Sequence, residues 1–208
     1  MQSKRMMLRW IASAIVGFSC LLPTEAAAQR AATHGSIVGA ALAGADLCSS
    51  VFMNAMNPSD PRTLNQLYES AGWHAAESEP AHFPDPDIGN SFGVADLASG
   101  VSGRVVSALG RSATSGGTRC NILLLSAPGA RDLLLHELDS SSIWTALEIG
   151  NIPNTRMYGR RTESPIADIG LTIMWGARGE ENRDLEAYLS VSLIPKSSIT
   201  TGVYPPAS

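Results

Sequence analysis

The sequence predicts an α+β fold in one domain, with a mainly antiparallel sheet packed against helices. Two stretches near the C-terminus, 166–176 and 185–194, alternate apolar and polar residues with the period of two that indicates a strand with one covered face. A third stretch, 119–126, is apolar almost throughout and is the predicted central strand. Two segments with helical spacing precede it, which separates helices from strands along the chain as α+β folds do.

The first predicted helix covers residues 37–56. Its apolar side chains recur at i, i+4, i+7 and i+11, at Ala41, Ala45, Cys48 and Phe52. This spacing places Cys48 on the face that turns toward the core. The small residues at 39–45 weaken the start of the helix but allow another element to approach closely.

A second, shorter helix is predicted at 61–71. Asp60 suits the N-cap, and Pro61 suits the first helical position, where its missing N–H costs nothing. Apolar residues follow at helical spacing, at Leu64, Leu67, Tyr68 and Ala71. Gly72 and Trp73 then read as a C-terminal stop with its hydrophobic contact.

The middle of the chain is less regular. Val94, Leu97, Val101 and Val105 have helix-like spacing, so we predict a marginal helix within 91–107, weakened by three glycines. The glycine-rich stretch 110–118 precedes a strand and contains no lysine, which excludes a phosphate-binding P-loop and favours a turn.

After the central strand, a helix is predicted near 128–139, with Asp132 in its first turn at the positive end of the helix dipole. A strand is predicted at 143–149. Arg156, Arg160 and Arg161 stand close to Glu163 and are interpreted as a solvated loop around a short strand. The charged stretch 178–184 joins the last two strands as a hairpin loop.

The N-terminus has the organisation of a cleavable export signal. Basic residues at Lys4, Arg5 and Arg9 precede an apolar run from Trp10 to Leu22, and three alanines follow. We predict cleavage after Ala28. The apolar run is shorter than the roughly 20 residues that a membrane anchor needs, and a lipoprotein reading through Cys20 lacks the expected leucine-like residue at Gly17.

Cleavage of residues 1–28 leaves three regions to consider. We expect a flexible segment at 29–36, which contains His34 as an exposed histidine, a single globular domain at 37–196 and a flexible tail at 197–208. The export signal is of the bacterial type, so the mature protein is predicted to be periplasmic or secreted, without stable membrane insertion.

The charge of the chain excludes one class of partner. The formal charge of −4 becomes −6 after cleavage, because the signal contains three basic residues and one acidic residue. A mildly acidic protein has no electrostatic footprint for nucleic acid or anionic lipid. The expected partner is an envelope or extracellular ligand.

Two cysteines remain in the mature chain. An even pair in an exported protein is most simply a disulfide, here Cys48 to Cys120, closing a loop of about 70 residues. The alternative, a reactive thiol or metal ligand, is disfavoured because neither cysteine has a CxxC partner and both have apolar neighbours.

Segment 74–90 carries most of the polar residues with site chemistry. Its three prolines predict a long loop or a sheet edge. Candidate metal ligands are His74, His82, Asp85 and Asp87, with Glu77 and Glu79 beside them. Their spacing matches neither an HExxH helix nor a calcium loop, so a hydrophilic surface loop is the simpler reading and no cofactor is predicted.

No catalytic motif is present: the chain contains neither a GxSxG elbow nor a zincin helix at His136 and Glu137. The sequence therefore favours a non-catalytic exported domain that binds a ligand or partner through its sheet face or through the 74–90 loop. The alternative is an envelope hydrolase or metal-dependent enzyme that uses His74, His82 and nearby carboxylates.

Overall fold

The computed structural model describes residues 33–54, 60–76, 91–111, 117–176 and 184–203. Four helices and eight strands lie within these ranges. The helices are α1 (Ile37–Met53), α2 (Pro61–Ser70), α3 (Ala130–Ser140) and α4 (Lys196–Thr201). The strands are β1 (Trp73–Ala76), β2 (Ser91–Ala95), β3 (Arg104–Arg111), β4 (Thr118–Leu125), β5 (Thr145–Leu147), β6 (Thr155–Arg160), β7 (Ala167–Met174) and β8 (Leu185–Pro195).

The eight strands form one antiparallel sheet in the order β1-β2-β3-β4-β8-β7-β6-β5. The chain runs through β1 to β4, crosses along α3 to the opposite edge, and returns through β5 to β8. Strands β4 and β8 therefore meet in the middle, where Ile122 pairs with Leu189. This arrangement confirms the predicted α+β fold with N-terminal helices on a mainly antiparallel sheet.

Helix α1 lies against the centre of the sheet, on β3, β4 and β8. Ser36 caps its N-terminus by accepting a hydrogen bond from the Gly39 N–H at 3.0 Å. On its buried face, Cys48 is joined by a disulfide to Cys120 of β4, with the two Cα atoms 5.7 Å apart. Both cysteines are fully buried, so the bond lies within the main hydrophobic core.

Helix α2 begins as predicted, with Asp60 as N-cap and Pro61 in the first turn. The Asp60 carboxylate accepts hydrogen bonds from the Arg62 N–H and the Thr63 hydroxyl, and the Thr63 bond lowers the pKa of Asp60. The predicted stop also holds, because α2 ends at Ser70. Trp73, however, does more than contact the helix end: it is the first residue of β1 and is buried.

The Tyr68 ring packs from α2 directly over the glycine of β2. A Cβ atom at Gly93 would lie 2.4 Å from the ring, so only glycine allows this approach. The Tyr68 hydroxyl accepts a hydrogen bond from the buried Ser107 hydroxyl at 3.0 Å. Burial raises the pKa of Tyr68 to about 12, with the Ser107 bond acting in the opposite direction.

The predicted helix within 91–107 is wrong. This stretch forms β2 and the start of β3, joined by a connection in which Gly100 and Gly103 have φ angles of +91° and +100°. Such angles favour glycine and cannot occur inside a right-handed helix. Of the four residues with helix-like spacing, Val94 lies in β2 and Val105 in β3, whereas Leu97 and Val101 lie in the connection between the two strands.

Of the predicted flexible tail at 197–208, residues 197–203 lie in the described chain and residues 204–208 lie outside it. Residues Lys196–Thr201 form α4, and Ile199 packs over Gly159 in a small cluster on the second face of the sheet. Lys196 anchors the start of this helix, because its ammonium group donates to the buried Asp168 carboxylate and to the Thr162 carbonyl, both at 2.6 Å.

His34, expected to be exposed in a flexible segment, is half-buried. Its backbone N–H donates to the Asp96 carbonyl at 2.7 Å, and its Nε2 lies 2.9 Å from the Ala71 carbonyl oxygen. These contacts hold the chain before α1 against the end of α2. None of the helices in the described ranges is long and apolar enough to cross a membrane.

Candidate functional site

Of the predicted metal ligands, the structure describes only His74. It lies on edge strand β1, where its Nδ1 is 2.8 Å from an Asp96 carboxylate oxygen, and its side chain is 58% exposed. The other three candidates, His82, Asp85 and Asp87, lie outside the described residues, as does the predicted cleavage site at Ala28. Whether these ligands converge therefore stays a prediction.

The His74 pair does not by itself form a metal centre. Within the described part of the chain, no three side chains of histidine, cysteine, aspartate or glutamate converge in a way that could hold a metal ion. His136, on α3, is exposed, as the sequence indicated. A histidine held through Nδ1 by a carboxylate nevertheless keeps its Nε2 for another partner.

A different surface of the described chain is concave and chemically mixed. Two adjoining depressions, with volumes of about 170 and 450 Å³, share Ile143 and Arg160 in their linings. We call this surface the edge groove. The smaller depression lies among Leu42, Asp46, Glu137, Leu138, Ser141, Ile143, Trp144 and Arg160. The larger lies among Ser142, Ile143, Thr145, Arg160, Arg161 and Ile199.

Arg160, the last residue of β6, is the fixed centre of the edge groove. Its guanidinium group donates hydrogen bonds to the Asp46 carboxylate and, at 2.9 Å, to the Ser49 hydroxyl, both on α1. It also lies over the Trp144 ring, 4.8 Å from the ring centroid. The prediction of a solvated loop at Arg160 is therefore wrong, because α1 and Trp144 cover most of this side chain.

Two other residues of β6, Tyr158 and Arg156, lie on the same helix-covered face of the sheet as Arg160. The Tyr158 hydroxyl donates to the Asp139 carboxylate at 2.8 Å, at the end of α3, and Arg156 approaches the same carboxylate at 3.8 Å. Burial, followed by the bond to Asp139, raises the pKa of Tyr158 well above its usual range. Tyr158 therefore stays neutral at physiological pH and serves to tie α3 to the sheet.

Two charged side chains at the groove have no ion pair within the described residues. Glu137 is exposed on α3 at one end, and Arg161 is exposed beyond Arg160 at the other. Neither takes part in the ion pairs and hydrogen bonds found in that part of the chain, whereas Asp46 and Arg160 neutralise each other. Ile143, 59% exposed, lies between the two ends.

The groove reaches β5, the last strand of the sheet, at Thr145. The Glu148 N–H, one residue after β5, points away from β6 and donates to the Gly202 carbonyl at 2.8 Å. Since backbone groups alternate sides along a strand, the N–H and C=O of Ala146 also point outward. No hydrogen bond to Ala146 from beyond the β5–β6 ladder is found among the described residues.

The sequence reasoning missed this site because its residues come from five separate segments. The available signal was Ile143-Trp144, an apolar pair between serines and a short strand, and the consecutive arginines 160 and 161. Only the packing of the helices on the sheet brings them together. Comparison with protein-family models, with curated proteins and with solved structures found no match.

Proposed function

We propose that this protein is an exported, non-catalytic domain that binds a ligand or protein partner in the cell envelope or outside the cell. The observation that carries the proposal is the edge groove, which combines an exposed apolar side chain, an aromatic wall and two charges that have no ion pair among the described residues. Concave surfaces with a few convergent polar groups among apolar ones are typical of binding sites.

The chemistry of the groove favours binding over catalysis. Its central charge, on Arg160, is already satisfied by Asp46, Ser49 and Trp144, so it fixes the shape of the wall. The groups left for a ligand are an isoleucine, an arginine and a glutamate at the rim. The buried disulfide and the predicted signal support placing this binding in an oxidising compartment.

Photo-crosslinking in the exporting cell tests this proposal. We expect Ile143→p-benzoylphenylalanine to yield one reproducible crosslinked species, identifiable by mass spectrometry, because position 143 lies at the centre of the groove. The matched control is Leu133→p-benzoylphenylalanine: Leu133 is 61% exposed on α3, close to the exposure of Ile143, but does not line the groove. Equal crosslinking at both positions, or none at position 143, would contradict the proposal.

A metal-dependent hydrolase is the second candidate function. The observation in its favour is the contact between His74 Nδ1 and the Asp96 carboxylate, which is the arrangement that orients histidine ligands of zinc. Under this function, His74 would bind the metal through Nε2.

Metal analysis of the purified mature protein separates the two candidates. The binding-domain proposal expects no stoichiometric Zn²⁺ or Mn²⁺. Stoichiometric metal that is lost in His74→Ala and retained in His136→Ala, another exposed histidine, would transfer the assignment to the metal-dependent enzyme.

A further inference from the structure

We infer that the outer edge of β5 pairs with an extended peptide segment of a partner protein, whose apolar side chain enters the edge groove and whose carboxylate reaches Arg161. This inference rests on the proposed binding function and names its ligand class. It is carried by three features of the described chain: an open strand edge at Ala146, a partly apolar depression lined by the two residues that precede β5, and an unpaired cation, Arg161, in the adjoining depression.

The open edge supplies the backbone pairing. Ala146 directs its N–H and C=O outward, and both Thr145 and Ala146 are exposed. An unpaired strand edge is a template for another strand, and peptide recognition by strand addition gains its affinity from these main-chain bonds. Val203 already pairs with Glu148 on this side, so the open positions lie before Glu148, next to the groove.

The groove supplies the side-chain preference. Ile143 and Trp144 immediately precede β5, so a peptide paired with Ala146 places a neighbouring side chain against them. Because side chains along a strand alternate between faces, one peptide residue in two can enter the depression. A volume of about 170 Å³ beside Trp144 suits one leucine-sized or isoleucine-sized side chain.

Charge complementarity sets the remaining chemistry. The larger depression contains two arginines and no acidic residue in its lining, and Arg160 is neutralised by Asp46. Arg161 is left to bind an anion, and a guanidinium group matches a carboxylate in a bidentate manner. Glu137 at the opposite end disfavours an acidic group there, so the carboxylate is directed to the Arg161 end.

A second copy of this chain fits the edge less well than a short peptide does. Strand β5 has only three residues, and Val203 covers the outer side just after it. Two such edges offer few backbone positions to each other, and each copy would bring its own Arg161 toward the same region. A short segment with a carboxylate needs few backbone positions and brings no second arginine to the site.

Nuclear magnetic resonance titration of the mature protein tests the inference. The probes are short peptides of alternating threonine and valine that end in leucine: one with a free C-terminal carboxylate, one amidated, and one amidated with aspartate after the leucine. We expect saturable shifts of the Ala146 and Arg161 amide signals with a carboxylate-bearing peptide. Binding of the peptide with the free C-terminus would identify the C-terminal carboxylate as the group bound, and binding of the amidated aspartate peptide would identify a side-chain carboxylate.

Two variants test the individual contacts. Ala146→Pro removes the outward N–H without touching the β5–β6 ladder, and proline is tolerated on edge strands; we expect binding to weaken about tenfold or more. Arg161→Glu should weaken it similarly for the carboxylate peptides only. Arg62→Glu, a charge reversal at an exposed position on α2, is the matched control and should bind as the unmodified protein does.

Several results would overturn the inference. These are no shift with any peptide, equal binding by Ala146→Pro, equal binding by Arg161→Glu, or Ala146 shifts that depend on protein concentration without peptide, which would indicate self-association. If crosslinking is found at position 143 together with any of these results, the proposed binding function is supported and only the peptide inference is contradicted. Absence of crosslinking at position 143 would instead contradict the proposed binding function.

Discussion

Replacing both cysteines, as Cys48→Ala and Cys120→Ala together, is expected to lower the free energy of unfolding by about 4 kcal/mol. The two residues are 72 positions apart, and in the chain-entropy model a cross-link of that span removes this much conformational freedom from the unfolded chain. For a domain of this size the melting temperature should fall by about 8 to 16 °C. Chemical denaturation and thermal melting of the two proteins measure both quantities.

Reduction provides the control for this prediction. Dithiothreitol should destabilise the unmodified protein by a similar amount and leave the double variant unchanged, because the variant has no bond to reduce. Reduction should raise the intact mass of the unmodified protein by two hydrogens and leave the mass of the double variant unchanged. A double variant as stable as the unmodified protein would show that the buried bond contributes little.

Trp73→Ala is the second change with a large expected effect, about 3 to 5 kcal/mol of unfolding free energy. Trp73 is buried between α1, α2 and the sheet, with Tyr68 stacked at 6.4 Å between ring centroids. Alanine would leave a cavity beside Gly44. Trp73→Phe should cost only about 1 kcal/mol, since an aromatic ring remains and the indole Nε1 has no hydrogen-bond partner among the described residues.

A double-mutant cycle identifies the cause of the Trp73 effect. A Cβ atom at position 44 would lie 2.8 Å from the Trp73 ring, so Gly44→Ala should destabilise the unmodified protein. In the Trp73→Ala background the clash with the ring is gone, and the remaining contact at 3.0 Å is with the terminal methyl of Ile122, which can move into the new cavity. The same change also gains helix propensity, so it should destabilise the protein much less there than in the unmodified background. Additive effects of the two changes would contradict direct packing between them.

These two packing features also hold the edge groove in shape. The disulfide fixes α1 on β4, and α1 in turn presents Asp46 and Ser49 to Arg160. A loss of either feature should therefore loosen the wall of the groove as well as the core. The proposed site and the stability of the domain depend on the same helix.

The fold could be predicted where one pattern persisted over a whole element. The two C-terminal strands and α1 showed uninterrupted periodicity, and Asp60 with Pro61 gave a local start signal that needs no tertiary contact. The export signal is likewise a prediction from local pattern, and its residues lie outside the described chain. Local chemistry was sufficient in each of these cases.

The failures have a common physical cause. In residues 91–107, two short strands separated by positive-φ glycines imitated helical spacing, because apolar spacing alone does not show where the chain turns. Arg160 looked solvated because its partners, Asp46 and Trp144, lie on other elements of the fold. Helix α4 was missed because its one buried apolar residue, Ile199, meets a surface made by β5 and β6.

The sequence by itself determined the α+β class, the order of its long elements and the two cysteines that can pair, because these depend on local periodicity and composition. Only the tertiary structure decided which charges are satisfied and which remain for a ligand. Arg160 and Arg161 are neighbours in sequence, yet one is held by α1 and Trp144 and the other is exposed. That difference depends on strand alternation and on helices packed from far along the chain, which no local pattern records.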